Sequence, residues 1–264
     1  LQLRQHLTQI IAPILALVCI SAIGAFQTPK LRELKAKSNV ISPQALQRDL
    51  VSEALYLKLM QKMPTFGFDQ LVSNSIFLRF LQYFGDDEAR NQSDYSLSPE
   101  YFEIIINRDP RFLEAYYFLS GSTSLFAAMP ERTIALMNKG IESLTPEIPR
   151  NSYYVFRYKG TDELLFLGDV PQAKQSFTKA AEWASLYSDP VSQDVARFSW
   201  RTVQFLARNP KSKLAQFGAW SLTLTQAKDQ RTKERVIRQI ELLGGKVVRN
   251  DQGIVIRLIP PQKD

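Results

Sequence analysis

The sequence predicts an all-α protein of helix hairpins, preceded by one transmembrane helix and followed by a short C-terminal β-hairpin. Three observations carry this expectation. Near the start lies an apolar run without charge. Behind it, Ser-Pro, Asp-Pro and Asn-Pro pairs each open a stretch of helical periodicity, and strand-like alternation is absent until residue 246. The expected organisation is therefore an anchor over 1–29, a basic linker over 30–42, a helical domain over 43–245 and a hairpin with tail over 246–264.

From Leu7 to Phe26 the chain reads LTQIIAPILALVCISAIGAF, and no Asp, Glu, Lys or Arg stands between Arg4 and Lys30. Rising about 1.5 Å per residue, such a helix spans the roughly 30 Å hydrocarbon core of a bilayer. Pro13 would kink it, which bilayer helices tolerate. A cleaved export signal is the competing reading, with Ala22-Ile23-Gly24 as a small-residue site and an exported periplasmic or lumenal ligand-binding domain as its consequence. Against that stands an apolar run longer than the roughly 7 to 15 residues of a signal core. Val18 ahead of Cys19 does not suit a lipoprotein signal. Lys30, Arg32, Lys35 and Lys37 follow the run and only Arg4 precedes it, so the positive-inside rule puts the large domain on the cytoplasmic side.

Composition excludes several classes of chemistry. Cys19 is the single cysteine and His6 the single histidine, so an internal disulfide is impossible and the body lacks thiol and imidazole chemistry. The net charge of +7 is uneven: residues 1–40 carry 5 basic and 1 acidic side chains, 41–199 carry 15 and 20, and 200–264 carry 13 and 5. Basic ends around a mildly acidic middle fit a membrane-facing start better than a uniform nucleic-acid binder.

Within the body, Ser42-Pro43, Ser98-Pro99, Asp109-Pro110, Asp189-Pro190 and Asn209-Pro210 each join an N-cap residue type to Pro at a first helical position. Helices are expected near 43–62, 70–85, 98–107, 110–127, 131–144, 150–167, 171–187, 190–207, 211–227 and 231–243. Residues 86–98, DDEARNQSDYSLS, read as a polar loop. Gly244-Gly245 stop the last helix, and KVVRNDQGIVIRLI then reads as a hairpin turning at 250–253 whose Val247, Ile254 and Ile256 cover that helix. A free hairpin edge could also add a strand to a partner.

One frame recurs. In GDVPQAKQSFTKAAE a Gly-Asp turn precedes Ala173, Phe177 and Ala180; Thr133, Met137 and Gly140 repeat it more loosely, with Tyr117 and Gly121 on the preceding helix, and Ser98, Phe102 and Ile105 repeat it again. Small residues at this spacing let two helices approach to the lower end of the usual separation of about 8–10 Å. The frame resembles that of tetratricopeptide repeats, helix hairpins stacked into an α-solenoid. The resemblance is clearest over 98–187. It implies a concave groove lined by first helices, here Phe118, Ser122 and Leu125, then Tyr158, Asp162 and Leu165, suited to a peptide or helix. The family's clamp for acidic chaperone tails has Lys and Asn where this chain has Phe118 and Ser122. Phe66 to Ala89 resembles a tract of membrane-linked repeat proteins of photosynthetic bacteria, which implies a thylakoid or plasma-membrane setting.

No Gly-rich phosphate loop, metal-ligand spacing or nucleophile-base pair occurs, so neither an enzyme nor a cofactor is expected. Asp86, Asp87 and Glu88 read as solvated or capping. Ser120, Ser122, Thr123 and Ser124 around Gly121 read as small residues at a helix crossing. Arg231, Lys233, Arg235 and Arg238 form a basic stretch without an aromatic among them, which removes base stacking and with it the expectation of nucleic acid. The expected function is a non-catalytic scaffold, assembly factor or accessory subunit, its partners other proteins of a membrane complex.

Overall fold

The computed structural model describes residues 21, 23–25, 27–29, 43–208, 213–227, 229–250 and 255–262. The chain divides into two compact units, residues 1–48 and 49–264. In the first, residues 21, 23–25 and 27–29 are helical, as are 43–48, the opening of α1 (Pro43–Lys62). Among the described residues no helix is long and apolar enough to cross a membrane. The expected anchor, residues 7–26, lies outside the described residues except for 21 and 23–25.

The second unit continues α1 and adds α2 (Asp69–Gly85), α3 (Asp87–Gln92), α4 (Ser98–Arg108), α5 (Leu113–Leu119), α6 (Pro130–Ile141), α7 (Tyr153–Asp162), α8 (Val170–Ser185), α9 (Pro190–Arg208), α10 (Lys213–Gln226) and α11 (Gln230–Leu242). Helix α5 runs on into a π-helical segment, Ser120–Phe126, and α7 into another, Glu163–Leu167. An antiparallel pair closes the chain, β1 (Lys246–Arg249) with β2 (Val255–Ile259), in the register Val247 to Leu258 with an irregularity between Val248 and Arg249. The structure is thus mostly helical with one short hairpin, as expected. Of the expected turn, 250–253, residues 251–253 lie outside the described residues.

Several starts follow side-chain capping. Asp169 accepts from the Gln172 amide at 3.1 Å, Asp189 from Ser192 at 3.0 Å and Asp229 from Thr232 at 2.7 Å, each relieving an unpaired first-turn donor. Two Pro-marked starts differ from expectation. Ser98 lies inside the first turn of α4, buried, with Leu97 at the cap position. Asp109-Pro110 makes a turn instead, Asp109 accepting from the Arg111 amide at 3.2 Å, and α5 starts at Leu113. Part of the expected polar loop is helical: Asp86 caps α3 through the Ala89 amide at 3.0 Å. Asn209-Pro210 lies outside the described residues.

Helix α2 packs on α4, α4 on α5 and α6, and α5 on α7, while α6 packs on α7, α7 on α8 and α8 on α9. The main core between them is aromatic: Phe80 meets Phe102 edge-on at 4.6 Å and Tyr101 at 5.8 Å, and Leu57, Ile76, Ile104 and Ile105 fill the space around them. Removing each such side chain from water favours folding by about 1.5–3 kcal/mol. All three copies of the recurring frame face inward: Ser98, Phe102 and Ile105 on α4, Thr133 and Met137 on α6, and Ala173, Phe177 and Ala180 on α8 are at most 4% exposed. Gly140 completes the second copy, since a Cβ there would stand 1.8 Å from Tyr116 Oη. Gly121 is different. A Cβ at that position meets nothing within 4 Å, so it marks no close helix crossing.

The last elements turn back. Helix α10 lies against both π-helical segments and against α11, and α11 lies against β1. Phe217, Trp220, Val236 and Ile240 form a second core there, joined by Phe166, Val247 and Leu258. The hairpin therefore covers α11 through Val247, as expected. Ile254 lies outside the described residues.

Candidate functional site

The π-helical segments bring together what the sequence keeps apart. Each stands at the end of a first helix, in successive helix pairs, and widens the turn by one residue, as in the Ala127 amide bonding to the Ser122 carbonyl at 2.9 Å. A left-handed residue follows each: Gly168 at φ +67° directly after the second, and Ala128 at φ +53° two residues beyond the first. Such insertions in helices are frequent at functional positions.

Between the two segments sits Asp162, 1% exposed. Ser120 Oγ donates to one carboxylate oxygen at 2.9 Å and Ser124 Oγ to the other at 2.9 Å, while Thr133 Oγ1 lies 2.8 Å from Ser124 Oγ. Burial pushes the Asp162 carboxyl up to about 7; the two hydroxyls oppose that rise and Glu163 adds to it. One turn away, Lys159 donates to Glu163 and, at 3.2 Å, to Ser176 Oγ, which donates in turn to the second Glu163 oxygen at 2.7 Å. Ser122 Oγ and Thr123 Oγ1 are buried without a hydrogen-bond partner. This polar cluster is internal and joins four helices.

The six groove positions implied by the tetratricopeptide resemblance therefore do not share one open surface. Ser122, inside the first π-helical segment, and Asp162, at the end of α7, are both buried between helices. Phe118 packs edge-on against Phe77 at 5.4 Å and Phe80 at 6.2 Å, at the side of the main core. Leu125, Tyr158 and Leu165 are half-buried. What the surface does present is a row of tyrosines across α5 and α7. Tyr117 is 61% exposed, its ring lies 5.8 Å from that of Tyr158, and Tyr158 stacks on Tyr154 at 6.2 Å. The spacing of Tyr154 and Tyr158, one helical turn apart, is the sequence signal for this row.

The basic stretch is also divided. Arg231 pairs with Asp94 at 2.6 Å and Arg235 donates to the Ala127 carbonyl, whereas Lys233 is half-buried and Arg238 exposed. Gln216 of α10 lies against Gly168. Asp94 lies between α3 and α4, Ala127 between α5 and α6, and Gly168 between α7 and α8, so α10 and α11 form a strap touching three connections. Among the described residues no group of three His, Cys, Asp or Glu side chains could hold a metal ion. Comparison with protein-family models, with curated proteins and with solved structures gives no match.

Proposed function

We propose that this chain is a tetratricopeptide-like scaffold, anchored to a membrane by residues 7–26, that holds other protein subunits without catalysing a reaction. The observation that carries the reading is the tyrosine row. Tyr117, Tyr158 and Tyr154 cross two first helices as a semi-exposed aromatic surface on a rigid support, and tyrosine supplies contact area together with a hydrogen-bonding tip at little entropic cost. The packing of each helix on its neighbours, and the burial of all three copies of the recurring frame, support the repeat reading. Tethering would raise the local concentration of a bound partner beside the bilayer.

The test is a mild-detergent pull-down from native membranes with the wild-type chain and with Tyr117→Ala, identifying both the co-purifying proteins and the bait's N-terminus by mass spectrometry. Expected are stoichiometric membrane-complex subunits on a bait that keeps residues 7–26, and their loss from the Tyr117 variant at unchanged melting temperature. A processed bait recovered alone would sink the reading in favour of an exported domain.

A further inference from the structure

The first helix pair of the second unit is apolar on two sides. On α1, Leu57 is buried, yet Val51, Leu55 and Leu59 recur every four residues on the opposite face and are 51–64% exposed. On α2, Ile76 and Phe80 are buried, yet Leu71 and Leu78 recur every seven residues on the far side at 63% and 62%. A helix that needs only one core contact shows one apolar stripe. The connection between these helices extends the exposed surface, with Phe66 at 85% and Phe68 at 64%.

This connection is built. Arg108 donates to the Met63 carbonyl at 2.7 Å, to the Gln61 carbonyl at 3.3 Å and to Asp69 at 3.3 Å, and Thr65 donates to Asp69 at 2.7 Å. Above that fixed base Phe66 is held at φ +50°, a conformation that costs a bulky residue energy, with its ring turned to solvent. The balance of charge around it is positive. Glu53 and Asp69 are the carboxylates between residues 50 and 85; Arg79 binds the first and Arg108 the second, while Lys58 and Lys62 are exposed.

We propose that the tip of the α1–α2 pair, Phe66, Phe68 and Leu71 beside Lys58 and Lys62, seats in the headgroup region of an anionic bilayer. A protruding aromatic tip needs a complementary pocket to dock on a protein, whereas a lipid surface accepts it without one, and the uncancelled lysines match anionic headgroups. The inference stands apart from the tyrosine row and does not require residues 7–26 to cross the membrane.

The test uses the full chain in a Cys19→Ser background, spin-labelled through Phe66→Cys or Leu71→Cys, with Lys174→Cys on α8 as reference. Collision rates with oxygen and with a water-soluble nickel complex are read on phosphatidylcholine vesicles with and without phosphatidylglycerol. Expected is a severalfold rise in the oxygen-to-nickel ratio at 66 and 71 on the anionic vesicles alone, reversed by Lys58→Glu with Lys62→Glu, and no change at 174. Labels at 66 and 71 that stay as open to nickel as the one at 174 overturn the proposal. So does protection that is equal without phosphatidylglycerol, or that appears only when solubilised membrane proteins are added, which would assign the tip to a protein. Flotation of the chain with vesicles reports on residues 7–26 and is scored separately, so either reading can fail alone.

Discussion

The middle helix pairs and the C-terminal strap touch the same segments of chain but are held by different physics. Between α5 and α8 the contacts are interior: small residues at close approach, and charges without water. The strap meets those pairs through a smaller apolar core, Phe217 and Trp220 with Ala128 and Phe166, edged by single side chains that reach backbone carbonyls and turns. A buried charge must be matched or it is costly, whereas an exposed pair contributes little. The difference teaches that the pairs should be sensitive to conservative changes and the polar contacts at the edge of the strap tolerant of them.

The largest expected effect comes from Lys159→Met, which strands Glu163 inside the molecule. Urea titration should show a loss of about 3–5 kcal/mol, and adding Glu163→Met should recover much of it. If the double variant is no better than the single one, the pair is not coupled. Next comes Asp162. Its native pKa of about 7 lies above the ordinary 3.8, so its neutral form suits the fold; the stabilisation is complete at acid pH and is lost as the pH rises through about 7. Asp162→Asn should remove that decline, worth on the order of 2–4 kcal/mol at alkaline pH, which melting curves across the pH range would read. An unchanged slope would place the titration elsewhere.

Gly140 and Gly121 sharpen the comparison within one pair. Gly140→Ala drives a methyl into Tyr116 and should cost about 1–3 kcal/mol. Gly121→Ala, in open space, should instead gain up to about 1 kcal/mol from helix propensity. Equal shifts in melting temperature would mean the close approach at Gly140 relaxes. The smallest effect belongs to the strap: Arg231, with a side chain 69% exposed, should lose only about 0.2–1 kcal/mol on mutation to Ala. A larger loss would make Asp94, whose side chain is 13% exposed, a buried anchor and erase the distinction drawn here.

Much of the helical architecture was legible because its signals are local. The Gly168-Asp169 turn announces itself by a residue that accepts φ +67° and another that caps α8. The corresponding turn at Ala128 gives no such sign, since Ala is a poor choice for φ +53°. The π-helical segments were not legible either. One extra residue per turn leaves no compositional mark, and Ser122 within one segment and Asp162 just ahead of the other are interior, where the resemblance had put them on a groove. A groove carried over by resemblance therefore fails at those two positions, and Tyr117, which the recurring frame set beside Gly121 on a packed helix, emerged as a surface residue only from its exposure. The strap was hidden for a further reason: Arg231 and Asp94 are 137 residues apart, and a basic helix face looks the same whether it meets solvent or a distant carboxylate.

That separation sets a clock. The chain is made from its N-terminus, at roughly 5–20 residues per second. Asp94 and its neighbours therefore leave the ribosome roughly ten seconds ahead of the arginine that will close over them. The Ala127 connection waits for a shorter stretch, 108 residues to Arg235, and the Gly168 connection for a shorter one still, while the pairs behind them can already pack. The strap's residues therefore emerge late in synthesis, after both the apolar run of residues 7–26 and the aromatic tip.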